Sequence, residues 1–273
     1  MMQCRNHIVM AILTLMITGV VNADFTLFGT EQITVDQFHG NGTLYAQSTV
    51  YVPDKFEPWS VDNLKVYHES NVYISGGSVD DIDAYDNTTI EVSDGFIDYI
   101  YTYNLSTLDI SGGHIKYGVY AYSAKPMTIT NGNTYYVQAN DNSTVNIFGG
   151  VISNVYAGSG SVVNIFGGNF VNIRTVANGT IDISGGKIKN LEVSDDSFVT
   201  LHAKNYFLGT GLSLSNNEIR GKGILSAQWM DGTGWVMNVD IETRYGGHFI
   251  SIPEPATLSL LALGSIAVFC RRR

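Results

Sequence analysis

A two-residue turn containing glycine recurs at a nearly constant interval through the middle of the chain, and this restricts the fold more than any other feature. The turns are Gly76-Gly77, Asp94-Gly95, Gly112-Gly113, Asn131-Gly132, Gly149-Gly150, Gly167-Gly168 and Gly185-Gly186. The positions of their second members step by 18 every time except once, between Gly113 and Gly132, where the step is 19. Aliphatic residues keep the same period. Relative to each second glycine, the fifth residue before runs from Val72 to Ile181 and the third before from Ile74 to Ile183. The fifth residue after is Ile82, Ile100, Val137, Val155, Ile173 or Leu191, and in the longer coil this column slips from Gly118 to Val119. The second residue after is apolar except at Thr134, and the seventh is small or β-branched, as at Ala84, Thr102 and Ala157.

A fixed period of this length is the mark of a repeat architecture. Apolar residues two apart describe a half-buried strand, and Gly-Gly, Asp-Gly and Asn-Gly accept the positive φ of a sharp corner. One 18-residue coil cannot bury its own apolar face. Stacked coils bury it jointly, with strands ~4.8 Å apart and like residues in ladders. The expected fold is all-β: a parallel β-helix with 18-residue coils over residues 59–204, the first turn falling at Trp59 and the last matching residues at Val199 and Leu201. A second corner is expected around Asn87, Asn142, Gly160, Asn178 and Asp196. Apolar residues do not recur every six, which argues against the left-handed hexapeptide type and leaves the hand open. Residues 24–58 read as an N-terminal β cap and 205–252 as a C-terminal β cap. The latter includes strands at Gly223 to Trp229 and Trp235 to Ile241 around Asp231-Gly232-Thr233-Gly234, with both tryptophans in the core.

The two ends are different in kind. Residues 1–23 read as a signal peptide: Arg5, an apolar run from Ile8 to Val21, then Val21-Asn22-Ala23 at the cleavage positions. At the other end Ala256 to Cys270 form an uncharged 15-residue segment followed by Arg271, Arg272 and Arg273. A helix of that length spans roughly 22 Å at ~1.5 Å per residue. It falls short of the ~30 Å hydrocarbon core, and snorkelling arginines make up part of the difference. The basic tail places this end in the cytoplasm and the body outside. The only cysteines, Cys4 and Cys270, lie in these end segments, so the body has no internal disulfide and no cysteine metal site. Between Asp24 and Ile252 there are 11 basic and 24 acidic residues, a net charge of −13. That surface repels phosphate backbones, and nucleic acid is not an expected partner.

The order Pro253-Glu254-Pro255, short apolar helix, arginine tail resembles the PEP-CTERM sorting signal of Gram-negative bacteria, over residues 253–273. The resemblance implies recognition by an exosortase, with Pro253, Glu254 and Pro255 as the recognised residues and Arg271, Arg272 and Arg273 completing the signal. It also implies an exported protein of the cell surface or extracellular matrix, in bacteria that make exopolysaccharide and biofilm. Signal peptidase and exosortase are then the processing partners, the membrane a partner through the C-terminal helix before processing, and extracellular polysaccharide a candidate ligand. The two prolines keep the segment extended outside the bilayer, within reach of an enzyme.

No catalytic, cofactor-binding or metal-binding residues stand out in the body. The acids, such as Asp80, Asp81 and Asp98, are scattered over turns and outward positions, and the six histidines show no ligand spacing. There is no nucleophile elbow. Two function classes follow. The preferred one is a non-enzymatic structural or adhesive rod presenting Tyr73, Tyr101, Tyr103, Tyr120, Tyr122 and Tyr156 to sugars. The other is a surface polysaccharide-binding or polysaccharide-degrading β-helix enzyme.

Overall fold

A computed structural model describes residues 24–34, 40–53, 60–194, 196–216, 218–241 and 249–251. These contain only strands, turns and bends; among the described residues there is no helix, and so none long and apolar enough to cross a membrane. The signal peptide 1–23, the turn at Trp59 and the apolar helix at 256–270 lie outside the described residues.

The chain winds into a parallel β-solenoid of about nine turns. Each turn adds one row to a short-strand stack and one to a long-strand stack. In the first, Thr144–Ile147 pairs in parallel with Val162–Ile165, setting Val145 against Val163 and Ile147 against Ile165. In the second, Val151–Ala157 pairs with Asn169–Thr175, which pairs with Lys187–Val193 in the same register. The apolar columns read from the sequence are the core: Ile74, Ile82, Ile100, Ile147, Val155 and Ile173 are all at most 1% exposed. The slip in the longer coil is also present, with Ile100 opposite Val119. Ile152 and Val155 are both buried although three residues apart, whereas a regular strand points such residues to opposite sides. The long strand therefore bends between them, and each coil has three sides.

The seven second-position glycines all hold positive φ, from 66° at Gly77 to 111° at Gly168. Close approach adds to the demand at the first position: a Cβ on Gly112 would lie 2.1 Å from the Ser93 carbonyl oxygen. At the second corner Asn142, Gly160, Asn178 and Asp196 have positive φ as expected, but in the coil of Asn87 it is Asp86, at 60°, that takes it. A column of buried hydroxyls lines this corner. Ser143 donates to the Ala121 carbonyl at 3.0 Å and Ser161 to that of Ala139 at 2.9 Å, which satisfies these two hydroxyls where the backbone turns.

The segment read from the sequence as an N-terminal cap adds further parallel rows to both stacks. Phe25–Leu27 pairs in parallel with Gly42–Leu44, which pairs with Ser60–Val66; Gln32–Thr34 pairs with Thr49–Val52, which pairs with Asn71–Ala84. Here the partner positions step by 17, from Phe25 to Gly42, and then by 22, from Gly42 to Leu64. The regular period therefore does not extend to this segment.

The C-terminal end departs from parallel pairing. Ala203–Leu208 and Leu212–Ser215 pair antiparallel with Glu218–Trp229, which forms the expected hairpin with Gly234–Ile241. Gly234–Ile241 then closes the long-strand stack, parallel to Lys187–Val193 with Leu191 opposite Val239. Phe249–Ser251 closes the short-strand stack against Phe198–Leu201. Trp229 and Trp235 are 2% and 8% exposed with ring centroids 4.7 Å apart, and the Trp229 indole donates to the Gly186 carbonyl at 2.9 Å. They are core, as expected.

Candidate functional site

Beyond the bend, the long strand alternates inward and outward, so two outward columns run the length of the solenoid. One passes through Asn63, Asp81 and Tyr99, and later through Tyr136, Asn154, Asn172, Asn190 and Asn238. The other passes through Lys65, Asp83, Tyr101 and Tyr120, and later through Gln138, Tyr156, Arg174, Glu192 and Asp240. The same backbone thus presents acids, then tyrosines, then amides and charge pairs along one side.

At the acidic end the carboxyls crowd. Partial burial raises the pKa of Asp81, and the neighbouring Asp83, Asp80 and Asp98 raise it further; Asp80 and Asp83 are also raised, first by burial. Among the described residues no three His, Cys, Asp or Glu side chains gather as metal ligands.

The tyrosines are not free platforms. Phe28, Tyr45, Tyr67, Tyr85, Tyr103 and Tyr122 form one ladder with successive centroids 5.4, 5.2, 5.0, 4.8 and 5.4 Å apart and planes within 10° of parallel. Tyr103 has Tyr85 on one face and Tyr122 on the other, so no sugar ring can stack there. Tyr101 stacks on Tyr120 at 4.9 Å and Tyr73 on Tyr51 at 5.3 Å. All six tyrosines read from the sequence as presented to sugars are half-buried. Tyr156 differs, having no aromatic ring partner among the described residues.

Tyr156 lies in the C-terminal half, where the side chains form a groove of about 700 Å³. Its floor is an asparagine ladder: the Asn172 amide donates to Asn154 Oδ1 at 2.8 Å, Asn190 to Asn172 at 2.8 Å and Asn238 to Asn190 at 2.9 Å. An amide has two N–H donors and an oxygen with two lone pairs. Asn172 and Asn190 each keep one donor and one lone pair beyond the ladder. Charged groups line the groove in pairs, Arg174 Nε with Glu192 Oε1 at 3.1 Å and Lys222 Nζ with Asp240 Oδ2. Tyr136 joins the lining; burial, with Tyr156 and Tyr120 adding to it, lifts its pKa to about 12, so its phenol stays a neutral donor. Donors, acceptors and aromatic surface converge here with no net charge, which suits reversible binding of a polyhydroxy ligand.

The sequence contained part of this site: Asn154, Asn172 and Asn190 recur at the solenoid period, each in the position before a fifth-column aliphatic. Asn238, Lys222 and Asp240 arrive from the non-periodic cap, and no spacing announces them. Pro253, Glu254, Pro255, Arg271, Arg272 and Arg273 lie outside the described residues.

The fold and this surface define a β-solenoid with a polar-aromatic groove at its C-terminal end. Residues 251–273 match the family model of the PEP-CTERM protein-sorting motif, so the chain carries the sorting signal that its C-terminus resembles. The motif implies an exported surface protein that is sorted and processed by an exosortase. Comparison with curated proteins gives no match, and comparison with solved structures gives none either.

Proposed function

We propose that this chain is a structural or adhesive protein of the cell surface or extracellular matrix and not an enzyme. The observation that carries the reading is the pairing of a sorting motif at 251–273 with a body that carries a ladder of stacked tyrosines and a ladder of hydrogen-bonded asparagines on its outward columns. Such ladders stiffen a rod and repeat one surface chemistry along it. In this reading the precursor is exported by its signal peptide and held by the helix at Ala256 to Cys270 with Arg271, Arg272 and Arg273 in the cytoplasm. An exosortase then acts at Pro253-Glu254-Pro255 and removes the tail.

An ordinary anchor draws its affinity from burying Leu258, Leu260, Leu261 and their neighbours, and is indifferent to the tripeptide. Glu254→Ala is therefore expected to leave membrane insertion intact while unprocessed precursor accumulates in a host that has the exosortase. An epitope placed after Arg273 and followed by immunoblot reads this directly. A tail that stays attached to the mature wild-type protein replaces sorting with simple anchoring.

The groove favours a second reading, because Glu192 and Asp240 are carboxylates beside a candidate saccharide site. Assay of the purified protein on neutral and acidic polysaccharides tests it. Turnover abolished by Glu192→Gln or Asp240→Asn would replace the structural reading with a polysaccharide-degrading one.

A further inference from the structure

We infer that the C-terminal groove is a binding site for a neutral, extended glycan lying along the solenoid axis, with Asn154, Asn172 and Asn190 meeting its hydroxyls and Tyr156 packing on a sugar ring. The inference rests on the surface-protein reading above, but its test is separate.

The first support is spacing. The floor amides occupy consecutive rows of one parallel sheet, hence ~4.8 Å apart, with register Asn154 to Asn172 to Asn190 to Asn238 unbroken. That interval is near the advance of one pyranose unit in an extended glycan. Each interior amide has one N–H and one lone pair beyond its two ladder bonds, and a sugar hydroxyl both donates and accepts.

The second support is the aromatic surface. Tyr103 and its neighbours turn their faces to one another, whereas Tyr156 lines the groove without a ring partner among the described residues. An aromatic ring is the usual seat for the apolar C–H face of a pyranose.

Charge selects among glycans. Arg174 and Lys222 are matched by Glu192 and Asp240, and the surrounding body is −13. A uronate polymer would meet no uncompensated cation in the groove and a repulsive field around it. Sheet pairing disfavours a peptide strand, because the floor rows use their main-chain groups on each other and leave no edge to extend.

The test is affinity electrophoresis of the full-length protein, in mild detergent, through gels containing a β-1,4-glucan, a mannan, a galactan or polygalacturonate. Retardation by at least one neutral polymer and none by polygalacturonate is expected. Tyr156→Ala and Asn172→Ala should each weaken that retardation by about tenfold or more, as loss of a central anchor does. Tyr156→Phe, which keeps the ring, should bind within about threefold of wild type, and so should Tyr103→Ala in the other half. Urea unfolding of each variant separates lost binding from lost fold. The inference is overturned if no neutral polymer retards the protein, if polygalacturonate retards it more, or if binding survives both Tyr156→Ala and Asn172→Ala in folded protein. None of these outcomes bears on tail processing, so a failed groove leaves the surface assignment standing.

Discussion

The N-terminal and C-terminal halves of the solenoid share their inner columns and differ on the outside. Ile82 in one half and Ile173 in the other occupy the same buried column, at 0% and 1% exposure. On the adjoining outer columns, the N-terminal half carries a carboxyl cluster and a tyrosine ladder whose rings face each other. The C-terminal half carries amides that keep half their hydrogen-bonding capacity for a visitor, and an unstacked Tyr156. Stacking dictates the residue type inside, because each side chain packs on its copies above and below. Outside it fixes only the position, and the residue placed there can serve rigidity or recognition.

Core truncation should show how alike the halves are inside. Ile82→Ala and Ile173→Ala are each expected to cost about 2–5 kcal/mol, read from urea unfolding. A gap between the two larger than about 2 kcal/mol would break the claim of equivalent interiors. Next in size is the aromatic ladder. Tyr85→Ala removes stacks at 5.0 and 4.8 Å, at about 0.5–1.5 kcal/mol per pair beyond the lost burial. Asn172→Ala removes two exposed hydrogen bonds and should cost about 1 kcal/mol. If the amide ladder proves the more stabilising of the two, the division into a stiffening half and a recognising half is wrong.

The carboxyl cluster gives the N-terminal half a pH signature of its own. Asp80, Asp81 and Asp83 have raised pKa values in the folded chain, so the folded state binds their protons more tightly than the unfolded state does. Their contribution is most favourable below the ordinary carboxylate pKa and is lost as pH rises through the raised values. Asp81→Asn should therefore raise the melting temperature at neutral pH and flatten its dependence on pH through the acidic range. A steeper dependence in the variant contradicts the crowding. The smallest effect belongs to Arg174→Ala: its partner Glu192 and the guanidinium are each nearly half exposed, so stability should change by about 0–1 kcal/mol.

How much of this was legible in the chain follows from the same contrast. The core columns, the corners and the hairpin at Asp231-Gly232 were readable because the period copies residue type from coil to coil. The stacking of the N-terminal rows at Phe25–Leu27 and Gly42–Leu44 was not, because one short step and one long step break the period there without breaking the stack. The tyrosines were visible one at a time. That Tyr85 and Tyr103 conceal each other's faces is a relation between coils, and it reverses the expectation that Tyr103 greets sugars. One wall of the groove comes from Lys222, Asn238 and Asp240, residues that no repeat predicts.

The strand Phe249–Ser251 ends on the residue where the match to the sorting motif begins. In the surface-attached form proposed above, tension from the cell side would reach the fold at that short strand. It is held by its pairing with Phe198–Leu201 on one flank and with Glu218 and Ile219 on the other. A load applied at that strand would act on the seam between the parallel stack and its antiparallel lid.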